Sequence, residues 1–437
     1  MLKPATLKPA PDMKTSIIPE DTDFSTAHRD GWLTAMIRNV TLKKLNNIQF
    51  GRITLVENDR RYEFGGNTAQ QNLDAVISIH DSRAYRYFAL GGSVGAAEAY
   101  IHGFWSCDDL TSLIRIMVLN RSTLLDLETG LARLSKPVRA VWHRLNKNSR
   151  GGSKKNIQAH YDIGNDLFSL FLDESMMYSS AIYPRENSTL EEAAVYKIDL
   201  ICRKLNLGSN DHLLEIGTGW GALAIHAARH YGCRVTSTTI SEEQYTAAVD
   251  RVRQAGLEAQ VDIIKRDYRD LDGRYDKLVS VEMLEAVGHQ YFDSFFNKCC
   301  QLLKQDGVML LQTITIADQY YERARQSVDF IQRFIFPGGC LPSISALNSC
   351  IARVTDFRLL HLMDYSDHYA RTLREWRQRF FSNLQKVREM GYPESFVRLW
   401  EYYLCYCEGG FTEKSIGVAQ LLLGRPQNRL KLHALQP

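Results

Sequence analysis

The second half of the sequence alternates short apolar runs with longer amphipathic segments, and this alternation limits the possible folds more than any other feature. Seven runs have the length of β-strands, at 212–217, 233–240, 260–267, 275–283, 307–316, 356–363 and 416–424. Segments with helical spacing of apolar residues separate them, and strands connected through helices of this length pair in parallel. The pattern predicts an α/β fold with a doubly wound, mostly parallel, seven-stranded sheet of the Rossmann-like type.

Local signals predict where two of these helices begin. Ser188, with Glu191 three residues later, predicts a capping box ahead of the segment "TLEEAAVYKIDLICRKLNL". Ser241 predicts the N-cap of the next helix, and Gly256 predicts its end.

The sequence before this region is organised differently. Residues 1–30 are polar and proline-rich, which predicts a flexible N-terminal tail. Residues 31–140 mix strand-like and helix-like runs and predict a small N-terminal α+β domain. Residues 141–156 have no apolar period and predict a basic linker, whose cations suit either solvent or an anionic membrane surface. The large α/β domain then covers 157–437, with a lid insert near 318–352.

Charge and cysteine content exclude several classes of protein. The net charge is only +3, which lacks the basic field of a dedicated nucleic-acid-binding protein. Nine cysteines without a C-x-x-C pair argue against a disulfide framework and a zinc site, and predict a reducing, cytoplasmic location with no bound metal. No window of about 18 uncharged apolar residues occurs, so any membrane contact is predicted to be peripheral.

The stretch "LLEIGTGWGALAIHAARHYG", at 213–232, predicts a ligand site at the end of the first strand of the sheet. Gly217 and Gly219 allow a tight turn and close approach of a ligand, and with Ala222 they satisfy the dinucleotide pattern G-x-G-x-x-A. A dinucleotide site also needs an acid about 20 residues further on, where this chain has "TSTTIS". Glu215, two residues before Gly217, gives the E-x-G-x-G order typical of S-adenosylmethionine sites. Methyl transfer is therefore favoured, and hydride transfer stays open.

The surrounding residues resemble the cyclopropane-fatty-acyl-phospholipid synthase family. The resemblance runs from His160 to Arg425, and "LGGSVGAAEAYIHGFWSCDDL" is similar to the N-terminal domain of that family. It rests on the stretches "AHYDIGNDLFSLFLDESMMYSSAIYP", "LLEIGTGWGALA", "STTISEEQ", "KRDYRDL", "SVEMLEAVGHQYFDSFF", "FIFPGGCLPS" and "YYLCYCEGGF". The resemblance implies transfer of the methyl group of S-adenosylmethionine to a cis double bond in an acyl chain of an intact phospholipid. A bound bicarbonate then removes a proton and the ring closes.

Matching positions in this chain inherit expected roles from the resemblance. With Glu215 from the glycine motif, the implied cofactor-binding residues are Tyr178, Ser179, Gly217, Gly219, Thr239, Ile240, Gln244 and Tyr268. The implied residues around the bicarbonate are Glu285, Ile314 and Tyr369. Cys407 matches a cysteine of the family that is an active-site candidate, and Ser180 and Gln312 are further catalytic candidates. Aromatic faces stabilise a carbocation, and the candidates for this are Tyr161, Tyr178, Tyr183, Phe334, Phe336 and Tyr369.

Three of the matching positions depart from the family. Family members usually have cysteine where this chain has Ser180, and histidine where it has Gln312 and Ala286. Two imidazoles that can relay a proton near neutral pH are therefore missing. Proton loss from the transferred methyl group gives a cyclopropane, and proton loss from the neighbouring chain carbon gives a methyl-branched alkene. Both products stay open, as does binding of bicarbonate.

Two other classes of function remain as alternatives. One is a small-molecule N-methyltransferase, and the other is a non-catalytic protein that binds lipid or cofactor. For the preferred function, the expected partner is an unsaturated phospholipid in a bilayer, reached by peripheral contact at the inner face of the membrane, with a possible homodimer and no nucleic acid. One amphipathic helix within 320–347, carrying Arg323, Arg325 and Arg333 beside Phe330 and Phe334, is a candidate for this contact.

Overall fold

The computed structural model describes residues 32–66, 72–122 and 164–430. The predicted tail at 1–30, the basic linker at 141–156 and Tyr161 lie outside the described residues. The chain divides into two compact units. The first contains the described residues up to 122 together with 327–337 and 380–415, and the second contains 164–326, 338–379 and 416–430.

Eleven strands and thirteen α-helices lie in the described residues. The strands are β1 (Gly51–Glu57), β2 (Arg60–Gly66), β3 (Asp74–Ile79), β4 (Trp105–Cys107), β5 (His212–Ile216), β6 (Arg234–Thr239), β7 (Val261–Lys265), β8 (Tyr275–Val281), β9 (Leu303–Ile316), β10 (Arg358–Asp364) and β11 (Ile416–Gly424). The helices are α1 (Trp32–Leu45), α2 (Arg83–Ile101), α3 (Leu110–Leu119), α4 (Asn165–Ser169), α5 (Leu190–Leu205), α6 (Ala222–Tyr231), α7 (Glu242–Gln254), α8 (Phe292–Leu302), α9 (Asp318–Ala324), α10 (Ile344–Val354), α11 (Ser366–Ser382), α12 (Leu384–Glu389) and α13 (Glu394–Thr412).

The first unit is a small sheet with helices. Its strands lie in the order β2-β1-β3-β4, with β1 antiparallel to β2 and parallel to β3. Helix α13 packs on α2 and α3. The approach to α3 is close at Gly409, where an added Cβ would lie 2.7 Å from the Ile114 side chain. A larger residue at this position would therefore push the two helices apart.

The second unit contains the predicted seven-stranded sheet, with strand order β10-β11-β9-β8-β5-β6-β7. Neighbouring strands from β9 to β7 are parallel, and β11 runs antiparallel to both β9 and β10. Strand β9 is almost fully buried from 308 to 312, because helices cover both faces of the sheet. The fold prediction is confirmed, and it brings the ends of β5, β6, β7, β8 and β9 to one edge of the sheet.

The capping-box prediction is wrong by one residue. Thr189, not Ser188, is the N-cap of α5, and it exchanges hydrogen bonds with Glu192. The S/T-x-x-E pattern occurs twice in succession here, and the register that begins at Thr189 buries Leu190 in the first turn. The predicted N-cap of α7 is confirmed, since the Ser241 hydroxyl accepts from the Gln244 N–H at 3.3 Å.

The prediction of one amphipathic helix within 320–347 is also wrong. Helix α9 ends at Ala324, a π-helical turn covers Ile331–Ile335, and α10 begins at Ile344. Arg323 and Arg333 therefore belong to different elements. Phe330 is 1% exposed and packs against Tyr402, with ring centroids 4.8 Å apart, inside the first unit. This aromatic side chain is core and forms no apolar surface stripe.

No helix in the described part of the chain has the length and apolar character needed to cross a bilayer.

Candidate active site

The glycine turn after β5 is held in a backbone conformation that requires glycine. Gly217 has φ of 103° and Gly219 has φ of 53°. The N–H groups of Gly217 and Thr218 both donate to the carbonyl of Thr238, at 3.0 and 3.1 Å, which ties the turn to β6. A Cβ added at Gly219 would meet no atom within 4 Å. The turn thus leaves open space beside its backbone at the sheet edge, which allows close approach of a ligand such as S-adenosylmethionine.

Predicted cofactor residues on the two following strands lie at the same edge. The Thr239 hydroxyl donates to Gln244 Oε1 at 2.9 Å and accepts from the Ser241 N–H at 3.1 Å. These bonds fix the loop after β6, in which Ile240 is half-buried. Tyr268 follows β7 and is 9% exposed, with its ring edge-on to a buried phenylalanine of α8. The sheet topology therefore brings the predicted residues of β5, β6 and β7 together.

Glu215 lies below the turn, inside the sheet. It is 4% exposed, and its Oε2 accepts from the Ser237 hydroxyl at 2.5 Å. Burial raises the pKa of Glu215 to about 8, while the hydrogen bond from Ser237 and the charge of Lys197 oppose the rise. The carboxyl group thus connects β5 to β6, a scaffolding contact that the E-x-G-x-G pattern did not predict.

A buried lysine of α5 supports the segment that carries the next two predicted cofactor residues. Lys197 is fully buried and donates to the Ser179 hydroxyl at 2.8 Å. Burial lowers the pKa of Lys197 to about 8, and the charges of Glu282, Asp173 and Glu215 oppose that change. The ammonium group fixes Ser179, which is next to Tyr178.

Aromatic rings link Tyr178 to Tyr369. The Tyr178 ring lies 5.0 Å from Phe168 and 5.3 Å from Trp376, measured between ring centroids. Trp376 is seven residues after Tyr369 on α11, and the two rings meet edge to face at 6.1 Å. Phe168 and Trp376 are almost completely buried, and the sequence analysis did not identify them. Such a cluster excludes water and presents ring faces to positive charge.

The carboxylate of Glu282 lies among the groups predicted to surround bicarbonate. Its Oε1 accepts from the Ser180 N–H at 3.0 Å and from Gln312 Nε2 at 2.8 Å. Its Oε2 accepts from the Tyr369 hydroxyl at 2.7 Å. Burial raises the pKa of Glu282, and the bonds from Tyr369 and Gln312, then the charge of Lys197, oppose the rise. Three donors therefore favour the ionised form of this side chain at the end of β8, against the effect of burial.

The backbone at Glu282 is strained. Its φ of 49° lies in the left-handed region, which costs a residue with a Cβ about 1–2 kcal/mol. The Glu282 N–H donates to the Gln312 carbonyl at 2.8 Å, so pairing with β9 continues through this conformation. Strain of this kind persists where the surrounding structure enforces it, and it is frequent at functional sites.

Glu285 is the second carboxyl group of the site and has different chemistry. Its Oε1 accepts from the Ile314 N–H and from the Thr313 hydroxyl, the latter at 2.9 Å. Its Oε2 is buried and has no hydrogen-bond partner in the described structure. Burial, followed by the negative charge of Glu282, raises the pKa of Glu285 to about 8. At neutral pH Glu285 therefore mostly holds its proton, and Glu282, with its three donors, is the better site in the pair for a negative charge.

The raised pKa of Glu285 predicts a measurable effect on stability. Between its ordinary value of 4.5 and about 8, the carboxyl group ionises in the unfolded chain but stays protonated in the folded one, so stability falls as the pH rises. We expect the melting temperature of Glu285→Gln to exceed that of the native protein by a margin that grows from pH 5 to pH 8 and then levels off. Thermal melts in one buffer series measure this margin.

The matched control is Glu258→Gln, because Glu258 is exposed. The difference in melting temperature between this variant and the native protein should stay constant from pH 5 to pH 8. If the difference for Glu285→Gln were also constant over this range, Glu285 would already be ionised at pH 5.

The remaining predicted residues divide between the two units. Ser180 contributes its backbone N–H, because its hydroxyl donates to the Ala181 carbonyl at 3.0 Å. Cys407, together with Phe334 and Phe336, belongs to the first unit. Burial and the charge of Asp329 raise the pKa of the Cys407 thiol far above its usual range. The structure thus groups Ser180, Gln312 and Tyr369 around Glu282, while the thiol of Cys407 is protonated.

Glu282 is the main site residue that the sequence analysis missed. The sequence held one signal for it, since "SVEMLEAVG" places an acid directly after a buried strand as well as three residues later. The resemblance assigned a role to Glu285 and none to Glu282.

Comparisons with known proteins show the family of this chain. The family profile described as mycolic acid cyclopropane synthetase matches residues 148–421. The tuberculostearic acid methyltransferase UfaA1 of Mycobacterium tuberculosis is 38% identical over 342 residues, covering 76% of this chain and 79% of that protein. The cyclopropane-fatty-acyl-phospholipid synthase of Escherichia coli K12 is 36% identical over 354 residues, covering 80% and 88%.

A solved structure has the same fold. The mycolic acid cyclopropane synthase CmaA1, complexed with SAH and CTAB, superposes with a TM-score of 0.58 at 33% identity. The match covers 62% of this chain and 98% of that one.

Proposed function

Because this chain belongs to the mycolic acid cyclopropane synthetase family and is an S-adenosylmethionine-dependent methyltransferase, we propose that it methylates a cis double bond in an acyl chain of a membrane phospholipid. The observation that carries the proposal is the carboxyl group of Glu282, held by three donors at the sheet edge that also carries the glycine turn. Methyl transfer to an alkene leaves a carbocation, and a carboxylate in a site lined by aromatic rings is suited to remove its proton.

Each part of the site has a role in this reaction. S-adenosylmethionine, when bound at the turn formed by Gly217 and Gly219, supplies an electrophilic methyl group. The rings of Tyr178, Trp376 and Tyr369 exclude water, which would otherwise trap the carbocation, and their faces stabilise its positive charge by about 0.5–2 kcal/mol each. Glu282 then accepts a proton. The electron pair of the broken C–H bond closes the ring or forms a new double bond.

The residues present do not fit a bound bicarbonate. Tyr369, which the resemblance assigns to that anion, bonds to Glu282 instead. Ser180 and Gln312, whose positions depart from the family, bond to the same carboxyl group. A second anion there would lack donors and would face a carboxylate. We therefore propose that Glu282 replaces bicarbonate as the base.

The test of the function uses S-adenosylmethionine carrying a trideuterated methyl group, with vesicles of a cis-monounsaturated phospholipid. We expect deuterium in the acyl chains, read by mass spectrometry of the extracted lipid. A cyclopropane retains two deuterium atoms and a methyl-branched alkene retains three, so the mass identifies the product.

The control vesicles contain a saturated phospholipid with the same headgroup and should stay unlabelled. Unlabelled lipid in both samples, with binding of S-adenosylmethionine shown by calorimetry, would contradict the proposal. Label in a small amine under the same conditions would favour an N-methyltransferase.

The proposed substrate also implies contact with a bilayer. We propose that this contact is peripheral and lies on the cytoplasmic side, where the nine cysteines, all free thiols here, stay reduced.

A further inference from the structure

A row of hydrogen bonds connects Glu282 to a lysine buried in α5. Lys204 Nζ donates to Gln420 Oε1 at 2.8 Å. Gln420 Nε2 donates to Gln312 Oε1 at 2.9 Å, across the pair of strands β11 and β9, in which the two glutamines are direct partners. Gln312 Nε2 then donates to Glu282 Oε1 at 2.8 Å. Lys204 is 2% exposed, and Gln420 and Gln312 are each 1% exposed, so water does not compete for these bonds.

The chemistry of Lys204 determines the direction of every bond in this row. An ammonium group only donates, so Gln420 must turn its oxygen toward Lys204 and its NH₂ toward Gln312. Gln312 must then accept with its oxygen, and its NH₂ points at Glu282. The row therefore ends in a donor, and the Glu282 oxygen that faces it has to be an acceptor. Successive bonds of one direction polarise each other, which extends the effect of the Lys204 charge.

Within the described part of the chain, no carboxylate contacts Lys204 to offset the cost of its burial. Burial alone lowers the pKa of Lys204 to about 8. Its other contact is the Tyr365 hydroxyl, which accepts from Nζ at 3.0 Å, and His361 of β10 also faces it. A buried cation with only neutral hydrogen-bond partners destabilises the fold. A functional role of the Lys204 cation in the site would account for this cost in stability.

We propose that Lys204, Gln420 and Gln312 are positioning residues that hold the Glu282 side chain as an ionised acceptor ready to take the proton. The inference rests on the proposed function of Glu282 as the base. It explains why glutamine, which has no basic nitrogen, stands at position 312: a neutral amide with a fixed direction supports a resident carboxylate, and it does not have to carry a proton.

Other charged groups also face Glu282 and must be separated in the test. They are Glu285 from the turn after β8, Lys197 from α5 and Tyr369 from α11. None of the three belongs to the row, so changes to Lys204 and Gln420 leave the hydrogen bond from Tyr369 and the charges of Lys197 and Glu285 in place.

The test is the dependence of kcat on pH for Lys204→Met and Gln420→Met. Each change removes the fixed direction of the Gln312 amide, so we expect the acid limb of the profile to move up by about one half to one pH unit, with the plateau retained. The double variant should show no further shift, because either change breaks the same row. If Lys204→Met does not fold, Gln420→Met alone decides.

Tyr365→Phe is the matched control, since it removes the other acceptor of Lys204 and leaves the row intact. Its acid limb should stay in place. An unmoved limb in both Lys204→Met and Gln420→Met, or an equal loss of kcat at all pH values, would overturn the inference and leave a structural role only.

A second readout does not depend on the substrate. If the native protein methylates no lipid, the proposed function fails, and melting temperatures still test the row. The change in melting temperature caused by Lys204→Met should be more negative when Glu282 is present than in a Glu282→Gln background, because the row stabilises the negative charge. Equal changes in the two backgrounds would exclude coupling between Lys204 and Glu282.

Discussion

Glu282→Gln is expected to lower the rate of lipid methylation by about 10²–10⁴-fold, the usual contribution of a general base. Glutamine keeps the size of the side chain and can still accept from the Ser180 N–H and Gln312, but it has no negative charge and accepts no proton. Binding of S-adenosylmethionine should change little, because the change does not touch the glycine turn. The assay is the deuterium incorporation described above, with cofactor affinity measured by calorimetry.

Chemical rescue makes this prediction specific. Glu282→Gly removes the carboxylate from a position whose φ of 49° glycine adopts without strain. It leaves the donors of Ser180, Gln312 and Tyr369 without their acceptor, around a space of carboxylate size. Added formate or bicarbonate should restore part of the lost rate.

The native protein supplies the control for the rescue. It should turn over equally fast in buffer freed of carbon dioxide and in buffer with added bicarbonate, because its own carboxylate fills the position. Full activity of Glu282→Gln, or a requirement of the native protein for bicarbonate, would show that Glu282 is not the base.

The fold was predictable because its information is local and periodic. Alternating strand and helix patterns from 212 to 424 fixed the sheet, and Ser241 fixed the start of α7. Two local predictions failed where neighbouring signals compete. Ser188 and Thr189 offer overlapping capping boxes, and the apolar residues between 320 and 347 are divided among three elements instead of following one helical face.

The centre of the site was less predictable because its contacts are distant in sequence. The three donors to Glu282 come from a loop at 180, from β9 and from α11, so their meeting depends on the assembled fold. The resemblance assigned Tyr369 to an external anion, and it marked Ser180 and Gln312 only as departures from the family. The sequence shows an acid after β8, but it does not show that the carboxyl group of Glu282 lies between these three donors. Lys204 gave no signal at all, since a lysine in an amphipathic helix normally faces solvent.

Gly219→Ala is expected to weaken binding of S-adenosylmethionine by about 10–100-fold. The added methyl group would lie where the cofactor contacts the backbone of the turn, and such overpacking costs about 1–3 kcal/mol. Calorimetry with the full chain measures the affinity. Gly256→Ala is the matched control: Gly256 has φ of 68°, an added Cβ there also meets nothing within 4 Å, and the residue lies just after α7. Both variants carry similar backbone strain and should lose similar thermal stability, so a loss of affinity confined to Gly219→Ala isolates the ligand surface from the strain. Equal affinities in the two variants would place the cofactor elsewhere on the sheet edge.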